Sequence, residues 1–293
     1  MYFGIDVGGT KIQFAAESGD GVAILDKVPT PKTYAEFLNV VEEQFRLAAV
    51  GKGKIGCIGM GIPGTYTDET VIWSPNVPFL EGKDIPGDLR ERLGVGVFLG
   101  NDAQLALAGE AWRGAARGRQ QAILMAIGTG IGGAVMAGGR ILRGRRGAAG
   151  AFGWLNLDIS VPGDRNHGYL ENHAAGRAIE RMGSRLTPPL SPEGIVESAK
   201  KGNRECMDIL KQVGRLLGAG LASIASVLDT EVIVLGGGIS DELPLFSEAL
   251  TESFREFSAP GVEEVLILKG QLGNLAGAYG ALKLAAQKGN LWL

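Results

Sequence analysis

The segment Tyr2–Ala16, YFGIDVGGTKIQFAA, decides the fold of this chain. A short apolar run ends at Asp6, a turn with two adjacent glycines follows, and a second run starts at Lys11. Short apolar runs separated by turn residues are typical of buried strands, so the segment predicts a β-hairpin. The turn exposes backbone N–H groups, which form a concavity suited to anions, and glycine lets a phosphate approach the chain closely.

The carboxylate of Asp6 would repel a bare phosphate, so the pattern makes chemical sense only with a cation between the two groups. We therefore expect Asp6 to order Mg²⁺ through water. The alternative is an ordinary β-turn in which Asp6 caps backbone amides, because so short a string also occurs in turns that bind no ligand.

A second glycine loop, Gly128–Gly133 (GTGIGG), follows the apolar run Gln121–Ile127. It lies about 120 residues after the first loop, and a repeated strand–turn–strand unit indicates a duplicated architecture. The same physics predicts that this loop cradles phosphate, with the Thr129 hydroxyl as a further donor. It is not a Walker A loop, because GxxxxGK[ST] is absent. A dinucleotide-binding turn does not fit either, because such a turn opens a helix and the next segment here looks like a strand.

A third glycine cluster, Gly236–Gly238, follows the β-branched run Glu231–Leu235. Its backbone would allow close approach of a flat ligand such as adenine. An ordinary turn after a strand explains these residues nearly as well when they are taken alone.

Strand candidates alternate with helix candidates along the chain, which predicts the α/β class. Apolar residues at helical spacing predict helices over Thr33–Val50, Ala103–Arg113, Cys206–Leu228 and, with an amphipathic pattern, Gly277–Gln287. Glycine and charge cluster at residues 113–120, where we expect a domain boundary.

The pair Asn101-Asp102 follows the strand candidate Val97–Leu99. A carboxylate at a strand end could take a proton from a substrate hydroxyl, while the neighbouring amide orients a sugar. Both residues are also good N-caps for the helix that follows, and the pair taken alone favours capping.

Composition bounds the functional class. Hydrophobic residues make up 45% and charged residues 21% of the 293 residues, as in soluble globular proteins. The net charge of −3 provides no broad attraction to nucleic acid or to an anionic membrane. The sequence shows no signal peptide, no apolar run of the ~20 residues that span a membrane, and no disulfide framework. We therefore expect a cytoplasmic protein with neither nucleic-acid nor membrane partners.

Seven motifs occur in a characteristic order and spacing: DVGGTK, GIPG, GND, GTGIGG, GxxGxxG, GYLE and VLGGG. Together they resemble the ROK family (repressor, open reading frame, kinase) of bacterial sugar kinases, from Tyr2 to about Leu284. The resemblance implies the α/β fold of actin, hexokinase and Hsp70, with two actin-like (ribonuclease H-like) domains flanking a cleft. The smaller N-terminal domain would comprise residues 1–115 plus 281–293, and the larger one residues 116–280. ROK repressors carry an additional N-terminal helix-turn-helix domain, so a chain that starts at the first strand resembles the kinases.

The resemblance also implies a role for individual residues. ATP would be bound, with Mg²⁺ at Asp6, by the phosphate and adenosine loops: Asp6, Gly8, Gly9, Thr10, Lys11, Gly128, Thr129, Gly130, Gly132, Gly133, Gly236, Gly237, Gly238 and Asn274. The sugar would be bound by Gly64, Asn76, Asn101, Asp102 and Glu171. Asp102 matches the general base that deprotonates the sugar 6-hydroxyl.

The segment after the second glycine loop departs from the family pattern, which is roughly GExGH followed by CxCGxxGCxE. Ala151 replaces the glutamate, and Trp154 replaces a histidine that contacts the sugar and binds zinc. All three zinc cysteines are absent, so we expect no zinc, because a structural site needs four ligands. We expect Trp154, Tyr169 and Leu170 to replace the metal as an apolar plug, with Trp154 also offering a flat face to the substrate.

The lost glutamate matters for the choice of acceptor. A buried hydrogen bond to a charged group is worth ~1.5–3 kcal/mol, so ordinary glucose should bind poorly. We expect an ATP-dependent kinase that phosphorylates a primary hydroxyl, of the hexose 6-hydroxyl type, on a sugar or sugar-like polyol. Two alternatives stay open: a catalytically weak nucleotide- or sugar-binding sensor of the same fold, and an enzyme with a carboxylate acceptor. The resemblance also suggests a homodimer.

Overall fold

The computed structural model describes residues 1–19, 21–50, 53–164 and 166–293. The strands within these ranges are β1 (Tyr2–Val7), β2 (Lys11–Ser18), β3 (Gly21–Ile24), β4 (Val28–Pro29), β5 (Cys57–Ile62), β6 (Thr65–Tyr66), β7 (Val71–Trp73), β8 (Gly96–Asn101), β9 (Ala122–Ile127), β10 (Ile131–Ala137), β11 (Arg140–Ile141), β12 (Val232–Gly236) and β13 (Leu266–Lys269). The α-helices are α1 (Tyr34–Ala49), α2 (Ile85–Leu93), α3 (Asp102–Arg113), α4 (Tyr169–Ala174), α5 (Gly176–Gly183), α6 (Pro192–Lys200), α7 (Arg204–Leu228), α8 (Ser247–Phe257) and α9 (Ala276–Ala286). Short 3-10 helices cover Pro78–Leu80, Phe152–Trp154, Gly238–Leu245 and Gly273–Leu275. This alternation confirms the α/β class.

The described chain forms two compact units, and it passes between them four times. The first unit comprises Met1–Gln120, Ala134–Ala149 and Gln271–Leu293, and the second comprises Gln121–Gly133 and Gly150–Gly270. The predicted domains, 1–115 plus 281–293 and 116–280, have different boundaries. The first unit includes the segment Ala134–Ala149 and is therefore the larger of the two. Side chains of α3 hold this segment and the residues after Gly270.

The first unit is built on a sheet with the strand order β3–β2–β1–β5–β8, and β4 pairs with β2. β1 and β2 form the predicted antiparallel hairpin, while β1, β5 and β8 run parallel to one another. Parallel strands end at the same edge of a sheet. Asp6 therefore pairs with Gly61, and Gly61 pairs with Gly100, the residue before Asn101.

Helix α1 begins where the sequence predicts it. The Thr33 hydroxyl accepts a hydrogen bond from the Glu36 N–H at 3.3 Å, which satisfies one of the free donors of the first turn. Phe37, Leu38 and Val41 form its buried face, in the same apolar core as the side chains of β1. Local capping and apolar spacing are enough to define this helix.

Helix α9 differs from the amphipathic helix predicted over Gly277–Gln287. Its Ala, Gly and Leu side chains are buried nearly all round, because α9 packs against α3 as well as against β1 and β5 of the sheet. Gly109 of α3 and Gly280 of α9 allow the two helix backbones to approach closely, and a Cβ on either would overlap the partner backbone. The C-terminal helix thus belongs to the first unit.

In the second unit β12 runs parallel to both β9 and β13. Helix α7 starts two residues before the predicted Cys206, because the Asn203 side chain accepts the Cys206 N–H at 3.0 Å. Its apolar side chains form the centre of the core, together with α8 and the sheet. None of the helices in the described ranges combines the length and apolar character required to cross a membrane.

Candidate active site

Two half-buried carboxylates lie at the sheet edge of the first unit, Asp6 at the end of β1 and Asp102 at the start of α3. Burial, and to a smaller extent the charge of Asp102, raise the pKa of Asp6 to about 7, although the charge of Lys27 opposes this shift. Burial likewise raises the pKa of Asp102 to about 6. The Ala103 N–H, which donates to the Asp102 Oδ1 at 2.8 Å, stabilises the ionised carboxylate and opposes this shift. A carboxylate with a pKa near 6 is well suited to accept a proton near neutral pH.

Asn101 both caps α3 and connects it to the segment after β5. Its Oδ1 accepts the N–H groups of Ala103 at 3.0 Å and Gln104 at 3.2 Å, as the capping interpretation predicts. Its Nδ2 donates to the Gly64 carbonyl at 3.1 Å. Gly64 has φ +120°, and a Cβ there would overlap the Trp73 carbonyl, so glycine is required. Three residues predicted for the sugar site, Gly64, Asn101 and Asp102, thus lie together.

The first glycine turn is held from two sides. Gly8 donates to the Lys11 carbonyl at 3.0 Å, and the Thr30 hydroxyl donates to the Gly8 carbonyl at 2.7 Å. Asn76 lies against the turn, since a Cβ on Gly9 would be 3.2 Å from the Asn76 Cβ and carbonyl oxygen. The structure therefore brings a predicted sugar residue next to the predicted phosphate turn, while the Lys11 side chain is exposed.

Gly277, the second residue of α9, was missed by the sequence analysis. A Cβ at this position would overlap the carboxylate of Asp6, so the glycine leaves room for that side chain. The only sign of this role in the sequence is that the glycine lies in a helix, where glycine is unfavourable. Asn274 lies in the 3-10 turn Gly273–Leu275 just before α9, and it is exposed.

In the second unit the loop Gly128–Gly133 is supported by the start of α5. Gly176 donates to the Gly128 carbonyl at 2.9 Å, and Arg177 donates to the Thr129 carbonyl at 3.3 Å. A Cβ on Gly128 would meet no atom within 4 Å. Open space beside a glycine backbone is what a phosphate-binding loop requires.

Glu171 of α4 attaches to this same loop. Its Oε2 accepts the Ile131 N–H at 3.0 Å, and its Oε1 lies 3.6 Å from Nη1 of Arg177. A Cβ on Gly130 would overlap the Glu171 carboxylate. Glu171, predicted to hold sugar hydroxyls, therefore also orders the second glycine loop.

The third glycine cluster lies beside the second. Gly237 has φ +82°, and a Cβ there would overlap the backbone of Ile127, which ends β9 just before Gly128. The Ser240 hydroxyl donates to the Gly237 carbonyl at 2.6 Å, while Gly236 and Gly238 border open space. Two predicted nucleotide loops thus meet at the ends of β9 and β12.

The segment that departs from the family pattern does not form the expected apolar plug. Leu170 is fully buried, but Trp154 is 54% exposed. The reason is that Phe152, at the start of the 3-10 turn Phe152–Trp154, takes the interior position and packs against Gly133. The prediction was therefore wrong for Trp154 and correct for Leu170.

The residues around Trp154 do not fit a zinc site. Trp154 borders a pocket of about 110 Å³ whose lining includes Asp164, His167, Tyr169 and His173. Asp164 accepts the Asn166 N–H at 2.8 Å, and His173 stacks on Tyr169 with ring centroids 4.2 Å apart. Across the described ranges, no three His, Cys, Asp or Glu side chains are grouped so that they could hold a metal.

Comparison with known proteins decides the family. A model of the ROK family matches residues 2–288. The chain belongs to the ROK family. The glucokinase of Streptomyces coelicolor is 30% identical over 98% of both chains, and the N-acetyl-D-glucosamine kinase of Haemophilus influenzae is 30% identical over 98% of this chain and 100% of that one.

A ROK family glucokinase from Streptomyces griseus, solved in complex with glucose and AMPPNP, has the same fold. The TM-score is 0.78 at 30% identity, and the match covers 98% of this chain and 99% of that chain. This similarity confirms the predicted fold of the ROK kinases. Because these ROK relatives are sugar kinases, they support the expected class of ATP-dependent phosphotransferase.

Proposed function

We propose that this ROK protein transfers a phosphoryl group from ATP to a primary hydroxyl of a sugar or sugar-like polyol. The observation that supports this most directly is the half-buried Asp102, whose pKa is raised to about 6, beside Asn101 and Asp6. A sensor that only binds ligand has no need of a carboxylate poised to accept a proton.

In the proposed reaction Asp102 accepts the proton of the acceptor hydroxyl while its oxygen bonds to the γ-phosphorus and the bond from that phosphorus to the ADP oxygen breaks. Asn101 orients the acceptor. The N–H groups of Gly8, Gly128 and Ile131 donate within the protein, so the other backbone N–H groups of the two glycine loops bind the phosphates. Their fixed dipoles offset charge in the transition state. Gly236–Gly238 and Asn274 accommodate the adenosine.

Asp6 fits the cation that this reaction requires. Its carboxylate is half-buried with a raised pKa, and the Lys27 charge offsets its own charge only in part, so a divalent cation nearby would stabilise its ionised form. Asp6 would hold Mg²⁺ through water. When bound, Mg²⁺ neutralises negative charge on the phosphates.

The acceptor follows from what the site keeps and lacks. Asn76, Asn101 and Glu171 are retained, while Ala151 replaces a glutamate and is exposed. We propose a glucokinase-like enzyme with altered sugar-site residues, in which glucose binds weakly and Trp154 offers a flat exposed face to another substituent. A cytoplasmic homodimer without zinc stays a prediction.

The test is ADP release from ATP and Mg²⁺ with a panel of hexoses, N-acetylated hexosamines and cyclitols. Each acceptor is run with the wild type and with Asp102→Asn, which preserves side-chain size but removes the base. Turnover that depends on one acceptor and is lost in the variant supports the proposal. Bound nucleotide with no turnover on any hydroxyl acceptor contradicts it and favours the sensor, and formation of an acyl phosphate from carboxylates favours the alternative acceptor.

A further inference from the structure

Helix α3 carries two buried polar side chains besides Asp102. Gln104 and Glu110 are 0% and 1% exposed, on a helix whose other buried residues are apolar or glycine. Buried polar groups are costly unless they form hydrogen bonds, so their partners reveal their role.

Glu110 accepts hydrogen bonds from the backbone of two connecting segments, one before the chain enters the second unit and one after it returns. Its Oε2 accepts the Ala115 N–H at 2.7 Å and the Gln271 N–H at 3.1 Å, and its Oε1 accepts the Leu272 N–H at 2.9 Å. Ala115 belongs to the segment that leaves the first unit at Gln120, and Gln271 is the residue at which the chain returns. Hydrogen bonds to an ionised carboxylate are short and strong, so both segments are fixed to α3.

Gln104 holds a third connecting segment. Its Nε2 lies 3.1–3.4 Å from four carbonyl oxygens, those of Leu142, Arg143, Gly147 and Ala149. Its two N–H groups are therefore shared among the carbonyls of one turn. Ala149 is the last residue of the first unit before the chain passes to Gly150, which has φ +93°.

The same helix is rigidly attached to α9. At Gly109 and Gly280 the two helix backbones touch with no room for a Cβ. Since α9 follows directly after Gln271–Leu275, the return segment is held from both sides.

We infer that Glu110 and Gln104 are positioning residues for the base. They fix three of the four connecting segments to the helix whose first residue is Asp102. These contacts hold the start of α3, and with it Asp102, in a fixed position relative to the connecting segments. This inference rests on the proposed phosphotransfer, in which a carboxylate misplaced by ~1 Å can cost about 100-fold in rate.

The test compares Glu110→Gln and Gln104→Met with the wild type. Glutamine keeps the size of Glu110 but offers one acceptor oxygen and turns N–H donors toward the backbone N–H groups. Methionine keeps the length of Gln104 without its donors. Ser253→Ala is the control, because it removes a buried hydrogen bond to the Arg215 carbonyl in the second unit, 2.8 Å long, that holds no connecting segment.

We expect kcat to fall by about tenfold or more in Glu110→Gln and Gln104→Met, with each KM changed only a few-fold, because positioning affects the chemical step. Ser253→Ala should lower Tm and leave kcat unchanged. Hydrogen–deuterium exchange should rise at Ala115, Gln271 and Leu272 in Glu110→Gln, and also at the amides of Ala103 and Gln104 next to the base.

A kcat that stays at the wild-type value in both variants would overturn the inference, as would increased exchange confined to residues 115, 271 and 272. If one variant does not fold, the other decides. If the wild type transfers no phosphate, the proposed function fails by itself, and exchange at Ala103 and Gln104 then decides whether Glu110 positions this helix.

Discussion

Asp6 and Asp102, which are distant in sequence, lie close enough that the charge of Asp102 raises the pKa of Asp6. The pairing arises because β1 and β8 are parallel members of one sheet and end at the same edge. Two carboxylates that repel each other in this way are costly to bury, and a cation or a shared proton reduces the cost. Their proximity is thus a sign of function rather than of stability.

The rate should depend on the ionisation of Asp102. The base acts only when deprotonated, and burial raises its pKa to about 6. Asp6 is the nearby carboxylate, and the charge of Lys27 lowers the pKa of Asp6. We expect kcat/KM for the acceptor to be level above about pH 7 and to fall about tenfold per unit below pH 6. A pH–rate profile at saturating ATP measures this, and a level profile down to pH 4.5 would contradict the assigned base.

Asp102→Asn should stabilise the fold at high pH. The folded-state pKa is raised above the ordinary value of 3.8, so ionisation is harder in the folded state than in the unfolded chain. This destabilisation is absent below about pH 4 and complete above about pH 6. We expect the Tm of the variant to exceed that of the wild type by several degrees at pH 8 and to approach it at pH 4.5. A lower Tm of the variant at pH 8 would show that the carboxylate stabilises the fold.

Glycine substitutions separate ligand binding from folding. A Cβ on Gly128 or Gly238 meets no protein atom within 4 Å, so alanine at either position should leave Tm within about one degree. A bound phosphate or adenosine would collide with it, so the KM for ATP should rise about tenfold or more. Gly163→Ala, also in open space, is the matched control and should change neither quantity. An unchanged KM for ATP in both variants would remove these loops from the nucleotide site.

Restoring the lost glutamate should improve glucose binding. Ala151 is exposed, so Ala151→Glu requires no repacking. A hydrogen bond to a charged group is worth ~1.5–3 kcal/mol, so the KM for glucose should fall about 10- to 100-fold. Ala151→Gln, with the same length and no charge, should give a smaller gain. If neither variant changes the KM, Ala151 does not explain the altered sugar site.

The protein should be stable without zinc. Trp154 and Asp164 stand in the segment where the family has zinc ligands, and the local contacts are hydrogen bonds and ring stacking. We expect less than one tenth of an equivalent of zinc by elemental analysis, in the range expected of adventitious metal. Incubation with 1,10-phenanthroline should leave Tm and activity unchanged. One zinc per chain, or a Tm lowered by the chelator, would contradict this.

Much of this could be predicted because it depends on residues near one another in sequence. The hairpin at Tyr2–Ala16, the cap at Thr33 and the cap at Asn101 follow from turn chemistry and apolar spacing. The order of the glycine motifs was enough to predict the ROK family, because each motif needs glycine for a local backbone reason.

What the tertiary structure decided involves segments that are distant along the chain. The burial of α9 on nearly all sides, the exposure of Trp154 behind Phe152, and the reach of Glu110 to Gln271 have no local signature. The sequence by itself determined which residues could carry the chemistry. Only packing decided that Asp6 lies near Asp102 and that α3 holds the connecting segments, because burial and long-range hydrogen bonds exist only once the sheets have formed.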